Sequence, residues 1–169
     1  MIKSIFAVDY WGGMGNAGTL PWPHHREDMR YFQEQTKGHV VVMGRRTWDD
    51  RKMPKPLPDR TTYVVTNRPW QIQDARGVGG NFREELLKIE RRHPNQTVWV
   101  IGGPKLLESV KDLIQEAHIT HFKAQYRNDT KIDLRNFLAT YRCWSAKPSE
   151  ARDCNWSVYK NLDCFVPSI

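Results

Sequence analysis

Apolar residues recur along this chain in two rhythms. Ile2 to Val8 reads as a first strand, and the unbroken run Val40-Val41-Val42-Met43 predicts a strand covered on both faces, since a half-solvated strand would alternate. Thr61 to Thr66 and Thr97 to Ile101 are short and β-branched, while His118 to Tyr126 and Trp156 to Phe165 alternate more loosely; all four predict strands. Between them, Met29, Phe32 and Thr36 fall at helical spacing from His25 until Gly38. Asn81-Phe82-Arg83-Glu84 forms a cap with an acid three residues on, ahead of Leu86 and Ile89, and Pro104 to Val110 predicts a further helix. Strand and helix in alternation imply an α/β fold with a mostly parallel sheet, whose ligands sit at the carboxyl ends of the strands.

Composition narrows this to one domain over residues 1–169, with 39% hydrophobic residues and no repeat, linker or low-complexity segment. A chain of this length buries roughly 70% of its unfolded surface, enough for a core without disulfides. No run approaches the ~18 apolar residues of a membrane span. The opening strand is too short and acid-ended for a signal peptide, so a cytoplasmic protein without membrane partners is expected. Cys143, Cys154 and Cys164 are odd in number and lack C-x-x-C spacing, which favours reduced thiols. The net charge of +7 fits either nucleic acid or a small polyanion, and cations are densest between Arg45 and Arg68.

The candidate chemistry lies in loops. Gly13-Met14-Gly15-Asn16-Ala17-Gly18 spells G-x-G-x-x-G, but Pro21 and Pro23 prevent the helix that a dinucleotide fingerprint needs. A glycine-rich lid or a plain connection remains. Two other junctions put glycine at a strand's carboxyl end before a helix: Gly44-Arg45-Arg46-Thr47-Trp48 and Gly102-Gly103-Pro104-Lys105. A third strand ends in Thr66-Asn67-Arg68. Each alone is as consistent with punctuation as with binding, but three along one sheet edge suit an extended cofactor with a pyrophosphate and a further phosphate, which NADPH has and NADH lacks. Asp28, one turn before Phe32, is a candidate for binding an amidine-like group or supporting proton transfer, or else simply an acid on a helix dipole. His24, His25, His93, His118 and His121 come with no acid or cysteine cluster in sequence, so no metal is expected. The scattered tryptophans read as core, which leaves nucleic acid a minority reading.

Ile5-Phe6-Ala7, Met14-Gly15, Leu20-Pro21-Trp22, Asp28 with Phe32, Val42-Met43-Gly44-Arg45 with Thr47-Trp48, Pro56-Leu57-Pro58 with Arg60, Val100-Ile101-Gly102-Gly103 and Thr120 together resemble the dihydrofolate reductase family, in family order over nearly the whole chain. The resemblance implies an eight-stranded, mostly parallel sheet with about four helices and an antiparallel carboxyl-terminal strand. It implies a monomer that passes a hydride from NADPH to dihydrofolate, polyglutamylated forms included, and a proton to N5. By the same resemblance Asp28 holds the pterin, Trp22 and Thr120 position a water or bond the acid, and Leu20 covers the nicotinamide. Ile5, Ala7, Phe32, Leu57 and Ile101 line the substrate pocket, and Arg60 meets the glutamate tail. Ala7, Met14, Gly15, Gly44, Arg45, Arg46, Thr47, Thr66, Asn67, Arg68, Ile101, Gly102, Gly103, Lys105 and Leu106 hold the cofactor. The family's cis bond falls between Gly102 and Gly103, and residues Asp9 to Pro23 form a mobile loop that Asp129 holds closed. Asp59 stands where relatives often have glycine. Rival readings are a riboflavin-pathway pyrimidine reductase of the same fold, against which Asp28 and Arg60 speak, and a folate-binding or structural protein with little turnover.

Overall fold

A computed structural model describes residues 1–164. Its sheet has eight strands, β1 (Ile2–Val8), β3 (Val40–Gly44), β4 (Thr61–Val65), β5 (Arg76–Val78), β6 (Val98–Gly102), β7 (Glu116–Phe122), β9 (Tyr141–Pro148) and β10 (Cys154–Asn161). A separate two-stranded ribbon pairs β2 (Gly13–Gly15) with β8 (Thr130–Lys131). The sheet order is β5-β4-β3-β6-β1-β7-β10-β9. Pairing is parallel from β5 to β7, and β10 runs antiparallel to both β7 and β9. The α/β class and the antiparallel carboxyl-terminal strand therefore hold. The last strand ends at Asn161, before a 3-10 turn, and Phe165 lies outside the described residues. Two strands of the sheet went unanticipated: β5, three residues long, and the edge strand β9, whose side chains after Tyr141 are exposed and carry no burial rhythm.

Strand parity sorts the core into two layers. Ile2, Phe6 and Val8 of β1 and Val40 and Val42 of β3 face one side, where α3 (Phe82–Arg92), α4 (Pro104–Val110) and α5 (Leu134–Phe137) contribute Leu86, Ile89, Leu107, Val110 and Phe137. Ile5, Val41 and Met43 face the other, under α1 (Arg26–Thr36) and α2 (Arg45–Trp48). Helix α1 starts where the His25 ring accepts the Asp28 backbone N–H, and ends as Gly38 turns the chain at φ 78°. The Asn81 side chain accepts the Glu84 N–H, as its spacing predicts. Among the described residues the α-helices number five, but α2 and α5 are single four-residue turns.

Burial holds His118 and His121 below the ordinary imidazole value, in His118 despite the Glu116 carboxylate beside it. The unfolded chain therefore takes up protons first as pH falls, so these groups favour folding above about pH 6.5 and that contribution is lost below it. The melting temperature is expected to drop between about pH 7.5 and 5.5, and to drop less steeply in the double variant His118→Gln, His121→Gln. An equally steep decline in that variant would assign the acid sensitivity to other groups.

Candidate active site

A row of side chains crosses three strands at the carboxyl end of the sheet. Ala7 of β1 pairs with Thr120 of β7, which pairs with Trp156 of β10, so all three face α1. Above them sits Asp28, in the first turn of α1 and 8% exposed. Its Oδ1 accepts the Thr120 hydroxyl at 2.8 Å and the Trp156 indole N–H at 3.0 Å. Thr120 bonds the acid as the resemblance implies, whereas nothing in the sequence singled out Trp156. Trp22 packs beside this row, its ring stacked on Phe122 with centroids 4.4 Å apart. Burial and the nearby Asp28 charge push the Tyr31 phenol up to about 12, and its ring stacks on Trp156.

The expected pocket residues Ile5, Phe32, Leu57 and Ile101 meet in one cluster beneath α1, while Ala7 joins Trp22 nearer the acid. A cavity of about 450 Å³ opens from Phe32 and Leu57 to His24, Arg26, Met29, Arg30 and Arg60, and no carboxylate lines it. Met29, at helical spacing from Phe32 and Thr36, does not turn inward: it lies one residue, or about 100°, round the helix from Asp28 and reaches the rim. The Arg60 guanidinium donates to Pro58 O and Thr36 Oγ1 and lies over the Phe32 ring. Burial lowers its pKa, partly offset by Asp59. A half-buried cation of this kind, bonded to neutral oxygens, favours an incoming anion. Asp59 adopts φ 58°, the backbone region in which its relatives' glycine is at ease.

At the carboxyl ends of β3 and β6, Gly44, Gly102 and Gly103 form an open floor. A Cβ on Gly44 would sit 3.7 Å from Gly102 O, one on Gly102 would sit 3.7 Å from Thr47 Oγ1, and one on Gly103 would meet nothing within 4 Å. The Gly102–Gly103 peptide is cis, as expected. Beyond this floor, Arg45, Thr66, Asn67 and Arg68 line a second cavity of about 550 Å³ with Asp49, Gln71, Gly79 and Gly80, four residues not read from the sequence. Arg45 is paired there with Asp49 at 3.0 Å. Thr47 thus belongs at the glycine end, and Arg46 lies near enough to Asp129 to help depress its carboxyl pKa. Lys105 is exposed and Leu106 half-buried against the main core, both in the first turn of α4.

The glycine-rich loop is tied down at both ends. Asp9 is 2% exposed, and its carboxylate accepts backbone N–H groups from Trp11, Gly13 and Tyr126 at 2.7 to 3.0 Å, with the Asn128 amide at 3.5 Å. At the tip, Asp129 Oδ2 accepts the Ala17 N–H at 2.9 Å, and that bond is the largest cause of its lowered pKa. Met14 and Gly15 lie on the ribbon between these anchors, and Leu20 beyond them is 43% exposed.

The fold also gathers ligand-type atoms that the sequence keeps apart: those of His25, Asp153 and Cys154 lie within 4.8 Å of one another. The ring is already committed. Nδ1 accepts the Asp28 N–H, which leaves its proton on Nε2, 2.9 Å from Asp153 Oδ2. Burial pushes the Cys154 thiol up to about 11. The trio therefore works as a helix cap braced by a carboxylate.

A family model described as Dihydrofolate reductase matches residues 1–162. Dihydrofolate reductase type 8 from Escherichia coli is 28% identical over 145 residues, 83% of this chain and 85% of that protein. The Sus scrofa dihydrofolate reductase is 27% identical over 178 residues, with 94% of each chain covered. Among solved structures, dihydrofolate reductase from Enterococcus faecalis complexed with NADP(H) and RAB-propyl superposes with a TM-score of 0.82 over 95% of both chains, at 24% identity.

Proposed function

The chain belongs to the dihydrofolate reductase family, and on that premise we propose that it reduces 7,8-dihydrofolate to tetrahydrofolate with NADPH, as a cytoplasmic monomer serving one-carbon metabolism. What carries this reading is a buried carboxylate with one oxygen bonded by Thr120 and Trp156, at the head of an apolar pocket that ends in Arg60. When bound, NADPH supplies the hydride.

The chain's own groups do the rest. Oδ2 of Asp28 accepts from the 2-amino and N3 groups of the pterin, and its negative charge favours the ring carrying a proton at N5. Ile5, Ala7, Phe32, Leu57 and Ile101 exclude water and align the ring, with Trp22 and Leu20 closing the side towards the loop. Arg60 takes the α-carboxylate of the glutamate tail, and the Arg26 and Arg30 rim suits further γ-linked glutamates.

The residues fit the cofactor: the glycine floor permits close backbone approach to a pyrophosphate, and the second cavity offers Thr66, Asn67 and Arg68 to a terminal phosphate. Arg68→Ala is expected to raise KM for NADPH about tenfold to a hundredfold, the span of a charge-assisted hydrogen bond, while NADH, which lacks that phosphate, is scarcely affected. Equal losses with both cofactors would remove Arg68 from the phosphate. The reading as a whole is tested by NADPH oxidation with dihydrofolate by the purified protein, and cofactor binding without turnover would defeat it.

A further inference from the structure

We infer that Trp156 is a positioning residue for Asp28: its indole N–H and the Thr120 hydroxyl together occupy Oδ1, which reserves Oδ2 for the substrate ring. The inference rests on the reductase reading for what the ring is, but the bond itself stands on geometry. The two donors approach at 3.0 and 2.8 Å, and among the described residues every hydrogen bond to this carboxylate goes to Oδ1. One carboxylate oxygen has about two lone-pair sites, so two donors fill it.

The indole is itself held in place. The β10–β7 register puts Trp156 beside Thr120, Tyr31 stacks on its ring with centroids 5.0 Å apart and planes 21° apart, and it packs in the cluster of Trp22, Phe122 and Cys154. Two fixed donors on one oxygen set the rotation of the carboxylate. The other ionisable groups around it are Tyr31 and Glu27 on α1, His25 at its cap, His118 behind the Tyr31 hydroxyl, and Cys154 on β10. Tyr31 at about 12 and Cys154 at about 11 stay neutral throughout an assay, so the two donors act on an acid whose closest buried neighbours are uncharged.

Two variants separate the donor from the ring. Trp156→Phe keeps an aromatic face for Tyr31 and removes the N–H, while Trp156→His keeps an N–H, because imidazole Nε2 occupies the same place in its five-membered ring as indole Nε1. Trp156→Phe is expected to lower kcat/KM for dihydrofolate roughly tenfold, mainly through KM, with KM for NADPH unchanged. At about pH 8, where imidazole is neutral, Trp156→His is expected to recover most of that loss. An unchanged KM for dihydrofolate in Trp156→Phe, or a histidine variant no better than phenylalanine, would overturn the assignment. Should the wild type fail to turn dihydrofolate over, the reductase reading falls by itself. The affinity for dihydrofolate, followed by quenching of protein fluorescence, then decides the Trp156 bond, and equal dissociation constants for wild type and Trp156→Phe would reject it.

Discussion

Asp28→Asn is expected to lower kcat/KM for dihydrofolate by about two to three powers of ten, within the range of a lost acid-base group. The side chains around it determine how the amide must turn. Thr120 and Trp156 both donate to the same oxygen, so the amide keeps its carbonyl towards them and turns its NH₂ into the pocket. There it faces the amino and N3 hydrogens of the pterin, donor against donor, and the negative charge that favours a proton on the ring is gone. Asp28 touches neither the glycine floor nor the lining of the Arg68 cavity, so the dissociation constant for NADPH should be unchanged. A fall of less than tenfold in kcat/KM would remove Asp28 from the chemistry.

Asp9→Ala should cost about 3 to 4 kcal/mol of stability, since three backbone N–H groups lose their acceptor and each orphaned donor costs about 1 to 3 kcal/mol before the loop relaxes. For a chain of this size that is a fall of roughly 10 °C in melting temperature. Asp9 also joins the start of the glycine-rich loop to Tyr126, so its loss frees the segment bearing Met14 and Leu20. Turnover should therefore fall at temperatures where the variant is still folded. Thermal melts and kcat measured together test this, and a shift below about 3 °C would show that other contacts hold the loop.

The long apolar runs of β1, β3, β4 and β6, the Asn81 cap and the helix stop at Gly38 were legible because each is local, a matter of period or of one residue's backbone preference. The substrate pocket was legible only through its motifs. Ile5, Phe32, Leu57 and Ile101 come from four separate segments, and no spacing within any one of them says that they meet. Trp156 was hidden for a different reason: its role follows from a register that sets it beside Thr120, and a loosely alternating strand reads alike in either register. Asp9 marked no more than the edge of a loop, because its partners at Tyr126 and Asn128 are remote in sequence. The bracing of His25 by Asp153 was invisible on the same grounds.

The position of β6 also bears on how the chain is made. β1 leaves the ribosome ahead of the other strands of this sheet, yet its neighbours in it are β6 and β7. β3, β4 and β5 can pair among themselves as they emerge, while β1 has no partner until residues 98–102 arrive to fill the slot between it and β3. Asp28 and the first half of the pocket therefore wait unsupported until β6 arrives. The growing chain must keep the apolar face of β1 covered by something other than its final neighbours, and a nascent chain that stalls before β6 exposes it.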